Sequence, residues 1–107
     1  MLRIYGRWAH VASAWLFVIG VLVQAYLAGA ALAELGGSGD FSTHSSFGYS
    51  VMGLLALAVL VTALIGLVPR GQVGLSVGLF VLYIVQTALP NARADAPAIA
   101  ALHPANA

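Results

Sequence analysis

Apolar residues run almost without interruption in three stretches, and the polar positions between them fall into short clusters. The first stretch covers about residues 8–33, with no charge between Arg7 and Glu34. The second covers about residues 47–68, and the third about residues 73–89. About 20 mostly apolar residues are needed to cross ~30 Å of hydrocarbon, so each stretch predicts a membrane-spanning helix. The third is close to the lower limit of ~17 residues. Gly36-Gly37-Ser38-Gly39-Asp40 predicts a flexible polar loop. Val68-Pro69-Arg70-Gly71 predicts a tight turn, because Pro69 disfavours helix at Val68. Pro90-Asn91 ends the third stretch. The segment 96–107 predicts a further helix with Pro97 near its start. It is either a short interfacial helix or the opening of a fourth span around Leu102.

Within the stretches the polar side chains are few and fall into stripes. At about 100° per residue, Gly6, His10, Ser13, Phe17, Gly20 and Gln24 share one face of the first helix. His44, Gly48, Val51, Leu55, Ala58, Thr62 and Gly66 share one face of the second. Small and polar residues together mark helix contacts in lipid, and Gly74-x-x-x-Gly78 predicts close packing of the third helix. The expected architecture is therefore all-α: one transmembrane domain, residues 1–107, with three complete spans and the start of a fourth.

Composition narrows the class. The chain has 107 residues, 62% hydrophobic and 7% charged, with a net charge of +1. A soluble domain carries roughly 25% charged residues, so a water-covered surface is excluded. No basic stripe is available for nucleic acid. With no cysteine, disulfides, thiolate metal sites and cysteine nucleophiles are excluded. The lipid bilayer is the expected partner, with a larger membrane complex or a second copy of the chain as a further one. Arg3, Arg7 and Arg70 fall on one side of the spans, and Arg93 falls on the other with Glu34, Asp40 and Asp95. The positive-inside rule then predicts a cytoplasmic N-terminus in a bacterial inner membrane. Tyr5 and Trp8 suit an interfacial belt at that end. Arg3 and Arg7 before an apolar run, with Ala31-Leu32-Ala33 before Glu34, also suit a signal peptide. The run of about 25 residues exceeds the 7–15 of a signal core and favours a span.

Ionisable groups inside spans are costly and point to function. No acid or lysine lies within a span, which leaves a proton pump little to work with. Depth separates the rest. His10 lies one turn into the first span. Gln24, His44, Gln86 and His103 all fall at the opposite level, on four different helices, and Tyr26 and Tyr49 are at similar depth. Two histidines at one level could ligate a haem iron from opposite faces. Gly48, one turn after His44, would leave room for a flat macrocycle. On this reading His44 and His103 are the metal ligands of one haem b, and Gln24 and Gln86 orient the site or bond a propionate or quinone. His10 is either a third cofactor contact or an interhelical hydrogen bond. Both mouth histidines also read as interfacial residues wetted by headgroups, and both glutamines as interhelical glue. Zinc is less favoured, because His10 lies across the bilayer from the other two. No nucleophile–base–orienter set is visible, so catalysis is not expected.

Arg7-Trp8-Ala9-His10, Thr43-His44-Ser45-Ser46-Phe47-Gly48 and Leu102-His103-Pro104-Ala105-Asn106-Ala107 together resemble a family of small bacterial four-helix integral membrane proteins of unassigned function. That resemblance implies that the Leu-His-Pro-x-Asn-Ala motif opens a fourth helix. A histidine followed four residues later by glycine is also similar to the haem-bearing helices of cytochrome b561-like proteins. Those proteins carry two histidine pairs, and this chain has three histidines, so the likeness implies one haem rather than a two-haem relay. The competing functional readings are an electron-passing haem protein and a non-catalytic accessory subunit of a membrane assembly. A carrier or channel is least favoured, because no inverted repeat or broken helix is evident.

Overall fold

The computed structural model describes residues 1–106. The architecture is all-helical. Helix α1 spans Leu2–Ala31. A second long helix is built from α2 (Ser42–Phe47), a π-helical turn (Gly48–Met52) and α3 (Gly53–Ile65). Helix α4 spans Arg70–Ala88 and continues through a 3₁₀ segment, Leu89–Arg93. Two short helices, α5 (Pro97–Ala100) and α6 (Leu102–Asn106), follow. Three of these units, Leu2–Ala31, Ser42–Ile65 and Arg70–Arg93, are long and apolar enough to cross a membrane.

Each helix is longer than its apolar stretch predicts. α1 takes in the polar first turn at Leu2. The second helix starts at Ser42, five residues before the predicted Phe47, where Asp40 turns the chain into it from just before the N-cap, Phe41. The Asp40 carboxylate accepts from the Ser42 backbone N–H at 2.8 Å and from the Ser42 hydroxyl at 3.0 Å. Those two bonds hold the Asp40 carboxyl below its ordinary pKa range. The earlier start places His44 in the first turn of the helix.

α3 is the central element and packs against both α1 and α4. Its small residues carry the contact: Ala56 and Ala63 are fully buried, and Val59 is nearly so. With lipid tails as apolar as the side chains, close approach rather than hydrophobic burial holds such helices together. The closest approach lies where α1 crosses the end of α3. A Cβ at Gly6 would stand 2.6 Å from the Gly66 backbone nitrogen. Arg7 adds a bond from Nε to the Gly66 carbonyl at 3.2 Å, supplying one of the donors a helix end lacks. The far face of α1 presents Trp8, Trp15, Leu22 and Tyr26 outward.

Two predicted stripes need correction. In the second helix Val51 is exposed and Met52 is buried, the reverse of a continuous α-helical stripe. The π-helical turn inserts one extra residue per turn and advances the buried face by one position. In α4, Gly74 and Gly78 pack against nothing: a Cβ at either would meet open space. The close-packing role belongs to Gly6 and Gly66. α4 buries Ser76 instead, whose hydroxyl donates to the Gln72 carbonyl at 2.8 Å.

The turn after α3 has the hydrogen bonds of a Schellman motif. Val68 N–H reaches the Ala63 carbonyl and Leu67 N–H reaches the Leu64 carbonyl, both at 3.2 Å. Its left-handed residue is Leu67, at φ 46°, where glycine is usual. Glycine occupies the preceding position, Gly66, because Gly6 leaves no room there for a side chain.

A paired-histidine site at one end of the bundle

The structure brings His44 and His103 together although 58 residues separate them in the chain. Their ring centres lie 6.1 Å apart with the planes at 83°. Each ring is anchored in the same way. His44 Nδ1 lies 3.1 Å from the Gln24 carbonyl of α1, and His103 Nδ1 lies 2.9 Å from the Gln86 carbonyl of α4. A carbonyl only accepts, so each Nδ1 carries the proton. In a neutral imidazole the lone pair then sits on Nε2. The two rings are thus oriented alike, each by one backbone carbonyl of a neighbouring helix.

The sequence explains the anchor at Gln86. In an α-helix its carbonyl would accept from the residue four positions on, which is Pro90 and has no N–H. His103 supplies the missing donor. Asn106, one turn later on α6, adds bonds to the Leu82 carbonyl at 3.1 Å and to Gln86 Oε1 at 3.0 Å. The Gln86 amide nitrogen in turn stands 3.5 Å from His103 Nε2. Gln86 therefore fixes His103 through its backbone carbonyl, while its amide nitrogen faces Nε2 and would have to turn away for a metal to bind there. On the other side, the Phe41 ring meets His44 edge-on at 6.2 Å between centres.

Gln24 differs from Gln86 in one respect. Its Oε1 is buried without a hydrogen-bond partner. Its amide nitrogen lies 2.6 Å from where a Gly48 Cβ would be. The space beside Gly48, expected to admit a macrocycle, is filled by this amide.

His10 is not brought to the pair. Its Nδ1 bonds the Val59 carbonyl of α3 at 3.0 Å, which is an interhelical hydrogen bond. His10 lies 14 positions before Gln24 on α1, about 21 Å along the axis at 1.5 Å per residue.

Sequence reasoning missed Tyr83 and the role of Asn106. Tyr83 donates to the Gly48 and Tyr49 carbonyls at 3.2 and 3.3 Å. Its spacing, three and four residues before Gln86 and Thr87, puts it on the same face of α4. That was the available signal.

The fold and this site define a class: an all-helical membrane bundle with a paired-histidine end. A family described only as of unknown function, DUF6220, matches residues 24–93, and the chain belongs to it. The match includes Gln24, His44, Tyr83 and Gln86, whereas His10 and His103 fall outside it. No curated protein matches the chain, and no solved structure does. The likeness to cytochrome b561-like proteins accordingly rests on the sequence pattern alone.

Proposed function

We propose that this is a b-type haem protein of the membrane that passes electrons, with His44 and His103 as the axial ligands of one haem. The observation that carries this reading is the disposition of the two rings. Rings from two different helices converge with their centres 6.1 Å apart, close enough to share one metal ion. The backbone-bonded Nδ1–H groups suit neutral imidazole ligands, and the unpartnered Gln24 Oε1 suits an acceptor for a protonated propionate or a quinol hydroxyl. A bound haem would supply reversible one-electron exchange at its iron. Gln24 and Gln86 hold the ligand rings, and Phe41 covers the edge of one.

The test is an absorption spectrum of protein purified from haem-replete cells. A Soret band that sharpens on dithionite reduction is expected. His44→Ala and His103→Ala should each lose the haem or convert it to high spin, and His10→Ala should keep the low-spin spectrum. A colourless, monodisperse wild-type protein would overturn the reading.

One observation favours the second reading, an accessory subunit of a larger membrane assembly or of a homo-oligomer. Gly71, Gly74 and Gly78 lie on α4 with open space where each Cβ would be, so another helix could approach closely there.

The arginine distribution supports a bacterial inner-membrane protein with a cytoplasmic N-terminus, and so a histidine pair in the outer leaflet. A cysteine placed at Ser38 should then react with an impermeant reagent added outside intact cells. Labelling only from the cytoplasmic side would reverse the orientation.

A further inference from the structure

We infer that Tyr49 and Tyr83 form a reciprocal clasp that positions His44 against His103. The inference deepens the ligand-pair reading and rests on it only for the meaning of the pair, not for the geometry. Tyr83, on α4, sends its hydroxyl to two consecutive carbonyls of the π-helical turn, Gly48 at 3.2 Å and Tyr49 at 3.3 Å. Tyr49, on that turn, sends its hydroxyl back to the Thr87 carbonyl of α4 at 3.2 Å. Each helix thus donates one phenol to the other's backbone.

The placement of the four ends gives the clasp its consequence. Gly48 is one turn after His44, so the Tyr83 bond fixes the turn that follows the one carrying that ring. Thr87 is next to Gln86, whose carbonyl holds the other ring at 2.9 Å. The two phenols therefore connect the support of His44 to the support of His103 across the bundle. Gly53 makes the crossing possible, since a Cβ there would stand 2.7 Å from the Tyr83 hydroxyl.

The π-helical turn explains why a clasp is needed. It breaks the regular i→i−4 ladder, so carbonyls in it are free to take outside donors. Without such donors in a lipid environment, relaxation to a regular α-helix is favoured, because unsatisfied carbonyls are costly there. Relaxation would remove one residue from the turn and rotate α2 by about 100° relative to α3. His44 would then leave the face it shares with His103. Tyr49 and Tyr83 are positioning residues, since both hydroxyls bond backbone carbonyls rather than a histidine ring.

The experiment compares wild type, Tyr49→Phe, Tyr83→Phe and the double variant in micelles, with Tyr26→Phe on the outward face of α1 as control. Phenylalanine keeps the ring and removes only the hydroxyl. Two readouts need no haem. In histidine-labelled protein the chain's three histidines give three ring systems, and a cross-peak between His44 and His103 is expected in wild type. The double variant should weaken or lose it. Backbone hydrogen exchange over residues 44–53 should quicken by about three- to twentyfold in Tyr83→Phe. A third readout applies if wild type carries haem: the double variant should keep the haem but shift toward high spin.

An unchanged cross-peak in the double variant overturns the clasp, even if exchange quickens, because the tyrosines would then be structural only. If the double variant does not fold, the Tyr83→Phe cross-peak decides in the same way. Wild-type protein that purifies without haem defeats the functional reading and leaves the clasp to the haem-free measurements.

Discussion

The two ends of the bundle use histidine alike and glycine differently. His10 at one end and His44 and His103 at the other all direct Nδ1 at a backbone carbonyl of a neighbouring helix. Around His10 the helices are in backbone contact, with Gly6 against Gly66 and Arg7 on the Gly66 carbonyl. Around His44 the glycine admits side chains instead: the Gln24 amide lies over Gly48, and the Tyr83 phenol lies over Gly53. Where the backbones are in close contact, the histidine bonds one helix to the other, as His10 does to the Val59 carbonyl. Spaced backbones leave room for a second histidine and for polar groups that orient both. A histidine within a span is thus informative about function only together with what separates the helices beside it.

The largest expected break in this comparison comes from one substitution made at two places. Gly6→Ala should destabilise the bundle by about 1–3 kcal/mol, because its Cβ would meet backbone rather than a movable side chain. Gly78→Ala should be neutral or stabilise by about 0.5–1 kcal/mol, since alanine is the better helix former and space is open there. Thermal unfolding in detergent reads both. Equal losses at the two sites would mean that α4 uses its glycine face for a contact that this single chain does not contain.

That pair of variants also marks where the sequence was legible. The three spans were readable, because uninterrupted apolar runs have few other uses. The common level of His44 and His103 was readable too, since chain length fixes depth at 1.5 Å per residue. Glycine partners were not. Gly74-x-x-x-Gly78 and the lone Gly6 and Gly66 differ in spacing, and the regular spacing marks the face that stays open. Spacing describes one helix, whereas contact depends on which helix crosses it and where. The π-helical turn was hidden for a related reason. Gly48-Tyr49-Ser50-Val51-Met52 is an ordinary apolar sequence, and the donor that satisfies it, Tyr83, comes from a helix more than 30 residues away. The Pro90–His103 relation could have been read in advance. A proline near a helix end leaves a predictable carbonyl without its donor, and a histidine beginning the next helix is a natural substitute.

The smallest expected effect tests the glycine displacement at Gly66 and Leu67. The Schellman turn wants glycine at the left-handed position, and the crossing with α1 wants glycine one residue earlier. Only the second demand is met. Leu67 holds φ 46° with 57% of its surface exposed, so little packing offsets the backbone cost. A non-glycine residue in this region costs roughly 1–2 kcal/mol. Leu67→Gly would relieve that, against the roughly 0.5–1 kcal/mol that glycine's freedom in the unfolded chain takes back. The expected outcome is a net gain of about 0.5 kcal/mol, seen as a small rise in the unfolding temperature with the histidine pair unaffected. A loss of stability would show that Leu67 packs against lipid or a partner strongly enough to outweigh the strain. The turn would then be set by its surroundings rather than by its backbone.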